Sequence, residues 1–242
     1  MGNSFESRVV VAGSVGRAVL VVGGGLVDSN RQVEALNEIG HFAYETLLSR
    51  GFGKDQIYYI NPDPNQLYDG DGDGYLDDID CQGGDSVGCA PSAAHVAYAL
   101  ETWATTDFGL DNPPVGPGVP LLLYMVDHGG VDSFLVDYSS PTTPETISAS
   151  SVDQWLDTVQ SGDSVDVLFV YDACFSGSFL DEVGAGGPNR IAMTSAALNE
   201  SAYFSVNGTV SFSQFFWQNV RQGLSAGDAF DMAGLALASW SG

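Results

Sequence analysis

The sequence predicts an α/β fold in which helices cover both faces of a mostly parallel central sheet. Short, continuously apolar segments alternate along the chain with longer segments whose apolar residues recur at helical spacing. Continuous apolar strands are typical of a sheet that is buried on both faces, and strands separated by helices run parallel. Because neither an internal repeat nor a linker divides the chain, residues 1–242 are expected to form a single domain.

The amino-terminal half is expected to supply three strands and two helices. The apolar segment 17–22 ends in three glycines at 23–25, which indicates a buried strand and the turn that follows it. A helix is expected from residue 33 to a stop at Gly51, because apolar residues recur there at intervals of three and four. Further expected elements are strands at 57–60 and 120–126, a helix at 92–106 and a Pro- and Gly-rich loop at 111–120.

The carboxyl-terminal half continues this alternation. Two buried strands are expected at 165–171 and 191–194, and a shorter strand at 133–137. Helical periodicity covers 151–160, 213–222 and 225–238. In open parallel sheets, ligands bind at the carboxyl ends of the strands, so the residues that follow these strand ends are the first candidates for a functional site.

Composition and charge exclude several classes of protein. The 31 acidic residues against 7 basic ones give a formal net charge of −24. A chain this acidic gains nothing from counterion release, so we expect neither nucleic acid nor an anionic membrane surface as a partner. Because no apolar segment approaches the roughly 18 residues needed to cross a bilayer, membrane insertion is not expected either. Divalent cations suit this charge better.

Three cysteines are too few for a disulfide framework. Cys81 and Cys89 lie eight residues apart in a Gly-rich segment. They either close a small ring or remain thiols, depending on the redox compartment. If Cys81 and Cys89 form a disulfide, Cys174 is the one cysteine without a disulfide partner.

A histidine and a cysteine follow two of the predicted strands. The segment DHGG begins at Asp127, and the segment DACFSG begins at Asp172. A thiol needs a base to form its thiolate, and imidazole serves this purpose near neutral pH. The glycines after each residue let a substrate backbone approach and leave N–H groups to face an oxyanion. The pair therefore indicates nucleophilic catalysis by Cys174 assisted by His128.

These two segments resemble the signature of the caspase-like cysteine peptidases, in which one strand ends in His-Gly and a later one in acid-Ala-Cys-x-Ser-Gly. Legumains (asparaginyl endopeptidases) are the most similar group, followed by clostripain and the metacaspases. The likeness includes NRQVEA at 30–35, GFGKDQI at 51–57, MTSAA at 193–197 and ESAY at 200–203, and it runs from about residue 17 to 222. It implies a caspase-like α/β/α sandwich and an endopeptidase acting on proteins or peptides.

The resemblance also assigns roles to residues at matching positions. Cys174 matches the nucleophile and His128 the general base and acid, while the N–H groups of Gly129 and Cys174 match the oxyanion hole. The family has a weakly contributing third polar residue after the first strand, and here Asp28 and Asn30 are both candidates.

The resemblance leaves two specificities open for the S1 pocket, which binds the substrate residue before the scissile bond (P1). The pocket residue two positions before the cysteine is Glu in legumain and Asp in clostripain and metacaspases; here it is Asp172. If Arg31 pairs with Asp172, the pocket is polar and near neutral and suits Asn. If Arg31 points away, the pocket is anionic and suits Arg or Lys. We expect Asn at P1, with Ser195 as a wall of the pocket.

An acidic segment at 69–80 has the ligand spacing of an EF-hand calcium loop. Carboxylates occupy positions 1, 3, 5, 9 and 12, with glycine at 6 and leucine at 8. Position 12 is Asp instead of Glu, and prolines at 62 and 64 preclude an ordinary entering helix. We expect one structural Ca²⁺ in this inserted loop. The predicted ligands are the side chains of Asp69, Asp71, Asp73, Asp77 and Asp80 and the backbone carbonyl oxygen of Tyr75.

These observations predict a secreted, surface-bound or periplasmic legumain-like cysteine endopeptidase with structural calcium and no organic cofactor. No leader is visible at the amino terminus. Three alternatives stay open. The first is a clostripain-like peptidase specific for Arg or Lys, and the second is a transpeptidase or ligase, because an amine can capture the thioester intermediate. The third is a catalytically inactive calcium-binding surface module. The sequence carries no signal for the oligomeric state.

Overall fold

The computed structural model describes residues 15–25, 32–62, 67–68, 77–78, 90–109, 111–140, 142–162, 164–187, 189–205 and 208–240. Its strands are β1 (Arg17–Val22), β2 (Ile57–Ile60), β3 (Leu67–Tyr68), β4 (Asp77–Asp78), β5 (Leu121–Val126), β6 (Gly129–Gly130), β7 (Ser133–Asp137), β8 (Glu145–Ser148), β9 (Val167–Asp172), β10 (Arg190–Thr194), β11 (Phe204–Ser205) and β12 (Val210–Ser211). Its helices are α1 (Val33–Ser49), α2 (Ala93–Tyr98), α3 (Ala149–Gln160), α4 (Val183–Gly186), α5 (Phe212–Arg221) and α6 (Ala226–Trp240).

Five strands form the central sheet in the spatial order β10–β9–β5–β1–β2, and every neighbouring pair in it is parallel. The strands β1, β2 and β5 are almost completely buried, as expected for a parallel sheet that is covered on both faces. The predicted α/β fold with a mostly parallel sheet is therefore confirmed, and each predicted sheet strand lies within two residues of its observed bounds.

Helices cover the two faces of the sheet and create two apolar cores. One core packs beneath α1, α5 and α6, and its largest members are Tyr44, Tyr59, Tyr124, Phe216 and Trp217. The other packs beneath α2, α3 and α4 and includes Tyr58, Trp103, Leu156, Phe169 and Tyr171. Alternate residues of each strand thus supply opposite cores.

A three-stranded antiparallel sheet, in the order β6–β7–β8, follows β5. The predicted strand at 133–137 is present, but it belongs to this small sheet. Its residues Phe134 and Val136 are buried, and the Gly24 N–H donates to the Val136 carbonyl oxygen at 3.1 Å. The small sheet is therefore joined to the turn after β1 at the edge where the parallel strands end.

The edge strand β10 is anchored by the guanidinium of Arg190, whose side chain is fully buried. Its nitrogens donate to Asp153 at 2.6 Å, to Asp157 at 2.8 Å and to Gln160 at 2.7 and 3.0 Å, all on α3. Charged acceptors satisfy the buried cation, as its burial requires. These hydrogen bonds fix β10, the strand that leads to Ser195, against α3.

The predicted helix at 92–106 begins as α2 but changes geometry. The Ser92 hydroxyl accepts from the His95 N–H at 3.1 Å and caps the helix, which continues as a π-helical turn over Ala99–Trp103. Among the described helices, none combines the length and apolar character that crossing a membrane requires.

Candidate active site

The register between β5 and β9 brings the two predicted catalytic segments to one edge of the sheet. Val126 lies opposite Asp172 in this parallel pair. One residue further, the Asp127 N–H donates to the Asp172 carbonyl oxygen at 3.3 Å. His128 and Cys174 therefore leave neighbouring strands at the same level, which is the arrangement that the two strand ends predicted.

The chain reverses sharply at the predicted nucleophile. Cys174 is partly exposed and carries a free thiol, and the next residue, Phe175, has the left-handed φ of 58°. This conformation costs a non-glycine residue about 1–2 kcal/mol. It is held because the Phe175 N–H donates to the Glu200 carbonyl oxygen at 2.7 Å and the Phe175 carbonyl oxygen accepts from the Ser178 N–H at 2.9 Å. The turn holds Cys174 at the tip of β9.

The residues after Phe175 fasten the cysteine turn to the loop that follows β10. The Ser176 hydroxyl is buried and bonds to both the N–H and the carbonyl oxygen of Ala196, at 3.1 and 3.3 Å. The Gly177 N–H also donates to that carbonyl oxygen, at 2.9 Å. A Cβ on Gly177 would lie only 2.6 Å from the Leu198 nitrogen, so glycine is needed for this close approach.

His128 is half-exposed, with 43% of its side chain accessible, and lies beside a buried carboxylate. Asp127 Oδ1 accepts from the His128 N–H at 2.5 Å and is 3.8 Å from His128 Nε2. Burial lowers the pKa of His128 below its ordinary value, because the imidazolium loses hydration. The neutral imidazole, which is the form that accepts a proton, is therefore favoured.

Gly129 makes the closest contact between the two segments. A Cβ at this position would collide with the Cys174 carbonyl oxygen and would lie 2.8 Å from the Tyr171 hydroxyl and 2.9 Å from the Ala173 Cβ. Within the described ranges, the Cys174 N–H donates no hydrogen bond. The backbone that follows His128 thus packs directly on the backbone of the cysteine, with one N–H available beside it.

Asp172 is fully buried beneath this edge. Its Oδ2 accepts from the Ser213 N–H at 3.0 Å and from the Ser213 hydroxyl at 2.6 Å, and that hydroxyl accepts in turn from the Tyr124 hydroxyl at 2.7 Å. Burial raises the pKa of Asp172, although the Ser195 and Ser213 hydroxyls and the Ser213 N–H oppose the shift. The sequence did not indicate Ser213 or Tyr124, because a serine near a helix start and a tyrosine in an apolar strand are ordinary features.

Ser195 lies next to Asp172 at the end of β10, where its N–H donates to the Tyr171 carbonyl oxygen at 3.1 Å. The Ser195 hydroxyl stabilises the charged form of Asp172, although no hydrogen bond of standard geometry joins the two. Ser195 Oγ and Asp172 Oδ1 are both buried, and neither has a hydrogen-bond partner in the described part of the chain. The structure thus brings these two predicted pocket residues together, and it leaves Asp172 Oδ1 and Ser195 Oγ without a hydrogen bond of standard geometry to any described residue.

Several predicted residues lie outside the described ranges. They are Arg31, Asp28 and Asn30 beside the first strand, Cys81 and Cys89, and all the predicted calcium ligands except Asp77, of which only the backbone is described. Asp77 pairs with Tyr68 in the short antiparallel ladder of β3 and β4, which joins the two ends of the intervening segment. Elsewhere in the described residues, no three His, Cys, Asp or Glu side chains form a group that could hold a metal ion.

The architecture and this edge define a caspase-like fold. The structure is similar to the crystal structure of caspase-1 from Spodoptera frugiperda, with a TM-score of 0.59 and 11% sequence identity, over 93% of this chain and 77% of that one. In all, 120 chains of known structure match. At 11% identity the likeness shows the fold alone.

Part of the chain also matches a family model. Residues 117–231 match the model of the Peptidase C13 family, a stretch that runs from β5 into α6 and includes both His128 and Cys174. A search among curated proteins gives no match. The family match and the fold confirm the resemblance to the caspase-like cysteine peptidases that was found in the sequence.

The lowered pKa of His128 gives a testable titration. In the Cys174→Ala variant, which removes the neighbouring thiol, we expect His128 to titrate below about pH 6.5, the ordinary value for histidine. Because the folded chain then binds this proton less readily than the unfolded chain, lowering the pH through this range destabilises the fold. NMR of the imidazole protons, assigned with His128→Gln, measures the midpoint. A midpoint above 6.5 would mean that the nearby Asp127 carboxylate outweighs burial.

Proposed function

We propose that the chain is a legumain-like cysteine endopeptidase that uses Cys174 and His128 to cleave peptide bonds after Asn. The observation that carries the proposal is the register of β5 and β9, which brings His128 and Cys174 to the same edge of the sheet, with Gly129 packed on the cysteine backbone. A thiol nucleophile with an imidazole base, at the carboxyl edge of a parallel sheet, provides the groups that acyl transfer requires.

The reaction proceeds through a thioester. His128 removes the proton from the Cys174 thiol, and the thiolate attacks the carbonyl carbon of the scissile peptide bond. Collapse of the tetrahedral intermediate breaks the C–N bond, and the imidazolium of His128 gives its proton to the leaving amine. His128 then deprotonates a water molecule that hydrolyses the thioester and frees the thiol. An amine that replaces this water would give transpeptidation instead.

Backbone N–H groups stabilise the oxyanion of the intermediate. The Cys174 N–H makes no hydrogen bond with the described residues, and the left-handed Phe175 fixes the orientation of the peptide units around it. The Gly129 N–H is the second donor. Because these groups are held before substrate arrives, they cost little reorganisation when charge develops.

The buried pair Asp172 and Ser195 favours a carboxamide at P1 over a cation. Asp172 Oδ1 can accept from the amide nitrogen of Asn, and the Ser195 hydroxyl can donate to its oxygen. Burial raises the pKa of Asp172, because the carboxylate loses hydration there. The sequence resemblance suggests Arg31 for the same pocket, where its guanidinium would offset the negative charge of Asp172.

The catalytic assignment predicts that Cys174→Ala abolishes peptide hydrolysis. His128→Ala should lower kcat/KM by about 10²–10⁴-fold, the usual contribution of a general acid–base group. A fluorogenic peptide assay measures both variants, and thermal unfolding verifies that they fold. His41→Gln, which changes a histidine on α1, is the matched control and should keep its activity. Substantial turnover by purified Cys174→Ala would contradict the assignment.

The P1 assignment predicts that wild type prefers Asn in a panel of substrates that differ only at P1. Arg31→Ala should shift the preference toward Arg and Lys, because a charge-assisted hydrogen bond to Asp172 is worth about 1.5–3 kcal/mol when desolvated. Asp172→Asn should weaken the binding of every polar P1 side chain, and kcat/KM should fall for each of these substrates. If wild type cleaves after Arg or Lys and Arg31→Ala changes nothing, the chain has the clostripain-like specificity instead.

We also propose that the segment 69–80 binds one structural Ca²⁺. The donor set fits a hard cation, because five Asp carboxylates and the Tyr75 carbonyl oxygen occupy the loop positions that ligate calcium. The ladder of β3 and β4, which pairs Tyr68 with Asp77, supports a closed loop. Such a site is suited to an extracellular medium rich in calcium, and this supports the expected location outside the cytoplasm. A chain that binds calcium without hydrolysing peptides would instead be the inactive surface module.

Calcium binding predicts a calcium-dependent melting temperature. At a hundredfold excess over the dissociation constant, binding to the native state stabilises it by about 2.7 kcal/mol, which raises Tm by several degrees in a domain of this size. Differential scanning calorimetry with millimolar Ca²⁺ or with EGTA measures the shift. The double substitution Asp71→Asn and Asp73→Asn should remove the shift, whereas Asp85→Asn, outside the motif, should preserve it. A Tm that is equal in both buffers would contradict the site.

A further inference from the structure

A chain of buried hydroxyl groups runs from β5 through α5 to Asp172. The Tyr124 hydroxyl donates to Ser213 Oγ at 2.7 Å, and the Ser213 hydroxyl donates to Asp172 Oδ2 at 2.6 Å. Tyr124, Ser213 and Asp172 have no exposed surface. Because a buried hydroxyl that lacks a partner is costly, the direction of each bond is fixed by the next one along the chain.

The start of α5 adds a second donor to the same oxygen. Ser213 is the second residue of this ten-residue helix, and its N–H donates to Asp172 Oδ2 at 3.0 Å. Free N–H groups and the helix dipole make this position favourable for a carboxylate. Asp172 Oδ2 is therefore bound twice to one residue, and rotation of the carboxyl group would break both hydrogen bonds.

Because Ser213 holds Oδ2, the position of the other carboxyl oxygen of Asp172, Oδ1, is also fixed. With Oδ2 held by Ser213, Asp172 Oδ1 is buried near the Ser195 hydroxyl, and neither atom makes a hydrogen bond of standard geometry with the described residues. A native structure rarely leaves two buried polar atoms unsatisfied, and a ligand group that bonds to both would resolve the cost. The orientation of Oδ1 depends on bonds made at Oδ2.

We propose that Tyr124 and Ser213 are positioning residues that set P1 selectivity by fixing the orientation of the Asp172 carboxyl group. Neither touches the substrate; both act through Asp172. The inference rests on the proposed role of Asp172 in binding the P1 side chain, but it holds whether that side chain is Asn or a basic residue. Ser213 has the larger effect, because it contacts the carboxyl group directly, and Tyr124 acts by orienting the Ser213 hydroxyl.

The test compares two peptides that differ only at P1, one with the polar residue that wild type prefers and one with Ala. For Ser213→Ala we expect the ratio of their kcat/KM values to fall about tenfold or more, since a hydrogen bond to a charged group is lost. For Tyr124→Phe we expect a fall of about two- to tenfold, as for one neutral hydrogen bond. The loss should come mainly from KM of the polar substrate. A purely structural role would lower both kcat/KM values equally.

Two controls separate positioning from general destabilisation. Tyr58→Phe removes a buried tyrosine hydroxyl that is 2.7 Å from His95 Nε2 in the other apolar core, and it should leave the ratio unchanged. In an Asp172→Ala background, Ser213→Ala and Tyr124→Phe should cause no further fall, because the residue through which they act is gone. If Ser213→Ala does not fold, Tyr124→Phe still tests the positioning role, because it keeps the aromatic ring and removes only the hydroxyl.

The outcomes distinguish this inference from the proposed function. If wild type shows a P1 preference that survives both substitutions, or if the losses add fully to that of Asp172→Ala, the positioning role is wrong and the proposed function stands. If wild type hydrolyses both peptides equally well, Asp172 does not bind the P1 side chain, and both the pocket assignment and this inference are wrong.

Discussion

The candidate site depends on one parallel register. Val126 pairs with Asp172, and the Asp127 N–H extends the ladder to the Asp172 carbonyl oxygen by one residue. Because side chains alternate along a strand, a slip of one residue would turn every side chain of β9 to the opposite core. The two apolar cores, which Tyr124 and Tyr171 enter from opposite faces of the sheet, oppose such a slip. The relative placement of His128 and Cys174 is thus a consequence of core packing.

Local backbone geometry then sets the surroundings of the Cys174 thiol. Gly129 allows the backbone after His128 to lie against the cysteine, and Gly177 allows the turn after Cys174 to lie against the loop that carries Ser195. Between them, Phe175 is held in a left-handed conformation by hydrogen bonds to Glu200 and Ser178. Strain of this kind persists only where surrounding contacts determine it, and it occurs often at functional sites.

The fold was largely predictable because the apolar strands and the helical periodicities are long and regular. His128 and Cys174 were predictable because each follows such a strand directly, so the edge on which they lie follows from the sheet being parallel. Ser213 was not predictable, since it reaches Asp172 from 41 residues away and its local pattern is that of any residue near a helix start. The two-residue strands β11 and β12 and the conformation of Phe175 also lack a signal, because tertiary contacts alone determine them.

The order of strands also separates the strand that precedes the acidic segment from the strand that precedes Cys174. The acidic segment enters after β2, which is the outer strand on the side of the sheet opposite to β10, and β1 and β5 stand between β2 and β9. With strands about 4.8 Å apart, the strand that precedes the acidic segment is roughly 14 Å from the one that precedes Cys174. An outer strand has only one neighbour, so the chain beyond it can be lengthened or replaced without disturbing other pairings. This margin of the sheet is therefore a natural place to graft a reporter or a foreign binding loop onto the fold.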